Sequence, residues 1–378
     1  MSATALESPH LRLGYVPLCD CAPLVVARER GFFAEQGLNV TLSREPSWAN
    51  IRDKLATGLL DAAQMLAPMP LSMHLGLSGL QAPIITGLAL SLGGNAITLS
   101  QAIFAELASL GHDHATPHGL AQVIATRRAS GAPLLTLASV YPFSPHHYEL
   151  RSWLHSGGID PDQDVRLVVV PPPRMVGDLA AGRIDGYCVG EPWNILAEQL
   201  GLGGIATTST ALWSGRIEKV LGVRQAWAEA HPHTHQAVLR ALLLAGQWAD
   251  APEHRGELAE LLAGAMDAPL PAIRAALDAP HRPVFHRFAA GVPWLSQARW
   301  YDVQMRRWGQ VPAETPPLPL ETIYRPDLYR HAAQAVGFAV PVSDDKAEGQ
   351  HDHDWSLAAI PTPIPMRADR AAPGFELP

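Results

Sequence analysis

The chain has no run of about 18 apolar residues, so its sequence offers no membrane-spanning helix. It has three cysteines, Cys19, Cys21 and Cys188, an odd number that argues against a disulfide framework and leaves reduced structural thiols as the ordinary reading. Cys19-Asp20-Cys21 is half of a metal clip, but a structural zinc site wants four ligands, and no metal site is expected. His351-Asp352-His353-Asp354 lies in a polar tail and reads as solvated side chains. Charge is sparse at 17% and sums to −8, with 28 Lys and Arg that form no long run, which argues against a nucleic-acid surface. Enzyme signatures are missing too. Gly-x-Ser-x-Gly, His-Glu-x-x-His, a Walker-type loop and Gly-x-Gly-x-x-Gly do not occur, and no nucleophile stands at a recognisable spacing from a base. Binding is therefore expected rather than turnover. Residues 1–10 carry no basic region, no apolar segment and no twin arginines, so the expected location is the cytoplasm.

What is present is an alternation of strands and helices. With 378 residues and 47% hydrophobic content, the chain reads as a globular protein of about two to three domains. Leu11–Val16 is an expected strand, Pro23 opens a helix that runs toward Gly37, and Asn39–Ser43 is a second strand. Trp48–Thr57 is expected as a helix with Ile51 and Leu55 on one face and Gly58 beyond its end. Asp61–Leu66 and Pro83–Leu90 continue as strands. After Gly93-Gly94-Asn95 a second α/β unit follows, and residues from about 225 to 277 are nearly all helical.

This order predicts an α/β protein of two lobes, each with a mostly parallel sheet, joined by two extended crossings near Asn95–Leu99 and Lys219–Val223. Residues 11–95 and 224–340 would form the first lobe, with the C-terminal helices completing it. Residues 96–223 would form the second, and 341–378, rich in Pro, Asp and Ala, is expected as a flexible tail. A ligand would sit in the cleft between the lobes.

Two stretches mark that cleft: Ser47-Trp48-Ala49-Asn50-Ile51-Arg52-Asp53-Lys54-Leu55 and Asp185-Gly186-Tyr187-Cys188-Val189-Gly190-Glu191-Pro192-Trp193. Each lies where a strand gives way to a helix, the usual place for an anion in an open α/β sheet. Trp48 offers an indole N–H, Asn95 an amide N–H, His146 a ring N–H, Gly190 a close backbone approach and Lys219 a full positive charge. Singly, these are a core tryptophan, a turn residue, a structural histidine or a surface lysine. Together they fall at expected strand ends and crossings.

The residues resemble those of the nitrate- and bicarbonate-binding proteins of ABC transporters, over roughly residues 11 to 335. The resemblance rests on Leu13-Gly14-Tyr15-Val16-Pro17-Leu18, Ser47-Trp48 with Arg52-Asp53-Lys54-Leu55, Ala67-Pro68-Met69-Pro70, Pro171-Pro172-Pro173, Cys188-Val189-Gly190-Glu191-Pro192-Trp193, Glu218-Lys219-Val220-Leu221-Gly222, Pro293-Trp294 and Arg325-Pro326-Asp327-Leu328-Tyr329. It implies a periplasmic-binding-protein-like fold and a nitrate pocket at Trp48, His146, Gly190 and Lys219, with Asn95 where the family commonly has a glutamine. Lysine at 219, in place of the acidic residue of bicarbonate-binding relatives, points to nitrate or nitrite as ligand. Without an export signal, the chain looks like the cytoplasmic sensors of the NasS type. That implies a NasT-type ANTAR-domain antiterminator as partner, held without nitrate and released with it, while the sensor itself touches neither nucleic acid nor membrane. No cofactor is expected. Transport receptors and bilobal pyrimidine-precursor synthases are the competing readings; Cys19-Asp20-Cys21 is a poor substitute for the cysteine-rich motif of those synthases.

Overall fold

The computed structural model describes residues 5–77, 79–373, 375 and 377. Its architecture is a pair of α/β lobes, each built on a five-stranded sheet. Strands β1 (His10–Tyr15), β2 (Asn39–Arg44), β3 (Ala62–Leu66) and β4 (Ile84–Leu92) come first in the chain. They are followed by β5 (Asn95–Ser100), β6 (Thr136–Ser139), β7 (Arg166–Val169), β8 (Gly186–Gly190), β9 (Gly203–Thr208) and β10 (Ile217–Arg224). The first sheet has the order β2-β1-β3-β10-β4, with β1 parallel to β2 and β3, and β10 antiparallel to both of its neighbours. The second has the order β7-β6-β8-β5-β9, and there β5 is the strand that runs antiparallel to both neighbours.

Buried runs explain the sheets. All nine residues of β4 and all five of β3 are buried, as expected of strands covered on both faces. Helices Ala22–Glu29 and Pro232–Asp250 pack against each other on the first lobe, so the C-terminal helices complete it as expected. Two consecutive left-handed glycines, Gly93 (φ 61°) and Gly94 (φ 91°), turn the chain from β4 into β5. Among the described residues no helix is long and apolar enough to cross a membrane.

Three expectations are corrected. The second crossing, expected as the end of the second lobe at 96–223, is itself a strand of the first sheet: β10 hydrogen-bonds between β3 and β4, while the second sheet runs from Asn95 to Thr208. The helix opened at Pro23 stops at Glu29; Gly31 (φ 81°) breaks it before the short helix Phe32–Glu35. β9, which the sequence reading did not single out, opens with Gly203 and Gly204, and a Cβ at Gly203 would collide with the carbonyl oxygen of Leu99.

The third concerns the tail, whose described residues are packed rather than flexible. Strand Trp355–Leu357 pairs with Ile364–Met366, and Val340–Pro341 with Ala359–Ile360. Lys346 and Glu348 form a buried ion pair, and Glu348 accepts from Ser296 and Gln297. The Phe375 ring stacks on Trp300 at 5.6 Å. His351, expected in solvent, pairs through Nδ1 with Asp369 at 2.9 Å and stacks on Trp355 at 3.8 Å.

Candidate anion-binding site

Trp48 and His146 reach the cleft from helix N-termini in opposite lobes. Ser47 caps helix Trp48–Ala56 by accepting from the N–H of Asn50, and Ile51 and Leu55 anchor that helix in the first lobe. The Trp48 ring is fully buried, and its Nε1–H has no partner. Ser144 caps helix Pro145–Ser156 in the second lobe by accepting from the N–H of His147 at 3.0 Å, with Pro145 at the first helical position. His146 follows it, fully buried, with no hydrogen-bond partner at either ring nitrogen. Burial, then the charges of Lys219 and Arg216, hold its imidazole well below the usual histidine range, so it is neutral. Buried N–H groups without partners are uncommon in a folded interior.

Lys219 joins the two. Its Nζ lies 5.4 Å from the centre of the Trp48 ring, close enough for a cation–π contact. It donates at 2.7 Å to Glu218 Oε1, which is itself 3.4 Å from His146 Nδ1. Gly190 ends β8 directly opposite Asn95 of β5. A Cβ at Gly190 would stand 3.4 Å from Asp20 Oδ2 and 3.5 Å from Asn95 Oδ1, so a larger residue would crowd the same space. The five residues expected from the sequence thus share one buried cluster.

Two of them carry contacts the sequence did not foretell. Lys219 is not a free charge: Asp20 Oδ2 is 2.8 Å from its Nζ and Glu218 holds it on another side. Burial acts to lower its pKa, but Asp20 and Glu218 more than offset that and raise it. Asn95 spends an amide N–H on Glu149 Oε2 at 3.0 Å, and the Asn95 group left without a partner is its carbonyl Oδ1, an acceptor. One of the two amide N–H donors of Asn95 is thus engaged by Glu149.

Five further residues, Asp20, Gln64, Glu149, Arg216 and Glu218, complete the cluster. Arg216 pairs with Glu149, both buried. Gln64 donates to Asp20 Oδ1 at 2.6 Å while accepting from the Val16 N–H at 3.0 Å, which fixes the Asp20 carboxylate. Glu218 is the least foreseeable. Neighbours on a strand point to opposite faces, so Glu218 should point away from Lys219. The pairing of β10 with β4 shifts register at Ile217/Lys219 and again at Lys219/Val220, and this bulge brings both side chains into the pocket. Cys19, Cys21 and Cys188 are buried free thiols, and burial is the first cause that pushes each well up from its ordinary range. Among the described residues no group of His, Cys, Asp or Glu is arranged to hold a metal.

Several contacts span the lobes. Cys19 N–H donates to the Glu191 carbonyl at 2.8 Å, and His281 Nε2 is 2.8 Å from Glu191 Oε1. Tyr148 donates to Gln310 Oε1 at 2.7 Å, while Gln310 Nε2 donates to the Pro142 carbonyl at 2.9 Å. The cleft is closed over the cluster.

A profile of the NMT1-like family matches residues 4–263. The chain is 39% identical over 376 residues to the nitrate import ATP-binding protein NrtC of Synechocystis sp., covering 94% of this chain and 54% of that protein. It is 41% identical over 355 residues to the bicarbonate transport ATP-binding protein CmpC of Synechococcus elongatus, covering 89% and 51%. The chain therefore spans about half the length of these relatives. Among solved structures, the periplasmic nitrate-binding protein NrtA of Synechocystis superposes with a TM-score of 0.82 at 27% identity, covering 94% of this chain and 95% of that one.

Proposed function

The chain belongs to the NMT1-like family, and we propose that it is a receptor for nitrate and nitrite that takes one anion in the cleft between its lobes. One observation carries this reading. Unpartnered buried ring nitrogens, Trp48 Nε1 from one lobe and those of His146 from the other, flank a buried ammonium at Lys219. Nitrate has no proton to give and oxygens to satisfy, so it suits indole and imidazole N–H groups beside a cation. The similarity to a nitrate import protein and to a nitrate-binding protein supports the same ligand. Calorimetric titration with nitrate, nitrite and bicarbonate tests it. One site per chain is expected, with bicarbonate much the weakest.

Bicarbonate is the second reading, because Asp20 and Glu218 bracket Lys219 and a carboxylate can accept from a hydroxyl-bearing ion. The similarity to a bicarbonate transport protein favours the same arm. Tighter binding of bicarbonate than of nitrate decides for it.

The resemblance to NasS-type sensors extends the proposal to regulation. The chain would act in the cytoplasm, without catalysis or cofactor, and hold a NasT-type ANTAR-domain antiterminator inactive until nitrate arrives. By linkage, nitrate and the antiterminator must then weaken each other's binding by the same factor. Gel filtration of the pair should show a complex that nitrate dissolves. A complex that survives saturating nitrate, or no complex at all, favours the alternative, the substrate-binding component of a nitrate importer.

A further inference from the structure

Formal charge in the pocket does not balance. Asp20, Glu149 and Glu218 supply three buried carboxylates, against the two cations Arg216 and Lys219. His146 is neutral. With all three carboxylates ionised the cluster carries one surplus negative charge, and an entering monovalent anion would make it two. Burying uncompensated charge of that kind is costly, and such groups change protonation instead.

The oxygen inventory shows where a proton fits. Asp20 Oδ1 accepts from Gln64 and Oδ2 from Lys219. Glu149 Oε1 pairs with Arg216, and Oε2 accepts from Asn95 at 3.0 Å and from the Cys188 thiol at 3.4 Å. Glu218 Oε1 accepts from Lys219, but Glu218 Oε2 has no hydrogen-bond partner; Glu149 Oε1, also without a hydrogen bond, is held against the Arg216 guanidinium by their ion pair. We infer that Glu218 is the proton acceptor of the site, so that a monovalent anion and a proton enter together as a neutral pair. This rests on the anion-binding reading above and adds a regulation to it.

The groups facing Glu218 agree. From its own strand come Lys219 and the adjacent Arg216, both cations; from helix Pro145–Ser156 comes neutral His146. Asp20 comes from the turn after β1, and its charge disfavours a second ionised carboxylate nearby. Cys188 of β8 and Tyr301 of helix Leu295–Arg307 are kept protonated chiefly by burial. Burial raises the Glu218 carboxyl above its usual range even against the opposing pull of Lys219 and Arg216. A protonated Oε2 also converts a repelling oxygen into a hydrogen-bond donor.

The experiment is calorimetry with sodium nitrate from pH 6 to 9, repeated in HEPES and Tris, whose different ionisation heats reveal proton uptake. Once the pH exceeds the Glu218 pKa of the empty site, affinity is expected to fall up to tenfold per pH unit, with uptake approaching one proton per anion. Glu218→Gln should bind nitrate with a flat profile and no uptake. Wild-type binding that is independent of pH and takes up no proton overturns the inference on its own, whether or not the variant folds. A Glu218→Gln protein that keeps the slope overturns it as well, as does a slope lost in His146→Asn instead. Absence of nitrate binding at every pH sinks the anion-receptor reading itself.

Discussion

The Nζ of Lys219 lies 2.8 Å from Oδ2 of Asp20, so the pocket's cation is already compensated by the protein before any ligand is considered. An anion reaching Lys219 competes with, or adds to, that carboxylate. The lysine is thus a structural ion and a candidate ligand at once, and its loss should be felt in both.

We expect Lys219→Ala to lower stability by roughly 3–5 kcal/mol, the usual effect of leaving a buried charge without its partner. Asp20 and Glu218 would both lose their cation. Urea denaturation measures the first effect. Nitrate binding should weaken at least tenfold in calorimetry. The double variant Asp20→Asn with Lys219→Met should recover part of the stability and none of the binding.

Trp48→Phe separates the indole N–H from the ring. The ring fills the same buried space, so the fold should hold, while one hydrogen bond to a charged ligand is lost. Such a bond is worth about 1.5–3 kcal/mol. Nitrate affinity is expected to drop roughly ten- to hundred-fold with little change in melting temperature. Equal affinity in the two proteins would remove Trp48 from the ligand shell.

His281 and Glu191 latch the two lobes through a buried contact at 2.8 Å. In His281→Ala that latch is gone, and the ligand-free protein should shift toward an open form. Small-angle scattering should give a larger radius of gyration for the variant than for wild type, and saturating nitrate should restore compaction by favouring the closed form. A variant as compact as wild type without nitrate would assign closure to the Gln310 contacts instead.

Three histidines, His146 and His235 buried and His147 half-buried, set a pH dependence. Burial is the first cause in each case, holding His147 down at about 3, His235 at about 4 and His146 well below its ordinary 6.5. The unfolded chain binds protons at these positions below pH 6.5 and the folded chain does not, so their contribution is present above 6.5 and is lost as pH falls toward the folded values. Each should cost roughly 2 kcal/mol by a pH of about 5. Glu218, raised by burial, contributes with the opposite sign, stabilising at low pH and losing that effect as pH rises, and offsets part of this. Denaturation at pH 7 and 5 measures the net loss, and His235→Gln should flatten it.

Most of the architecture was legible because it rests on local signals. Ser47 and Ser144 before buried helices, Gly58 after one, and the apolar runs of β3 and β4 all act within a few residues. The five expected site residues converge for the same reason, each sitting at the end of such an element. Asp20 was hidden between two cysteines, where its role depends on Gln64, 44 residues away. Glu218 was hidden by a bulge, since alternation along a strand assigns it to the wrong face. The tail was misread because composition records Pro, Asp and Ala but not the partners that bury them. Ser296 and Gln297 lie 52 and 51 residues upstream of Glu348, and Trp300 packs on Phe375 from farther still.

The place of β10 between β3 and β4 bears on how the chain matures. The second sheet is continuous in sequence, from Asn95 to Thr208, and can assemble as soon as those residues have been synthesised. The first cannot, because the adjoining edges of β3 and β4 have no partner until residues 217–224 follow. Through that interval a nascent chain can hold a complete second sheet beside an incomplete first one. Its bare strand edges are the kind of surface that recruits chaperones or misassembles. The strand that carries Lys219 therefore closes the first sheet and installs the pocket's cation in a single late step.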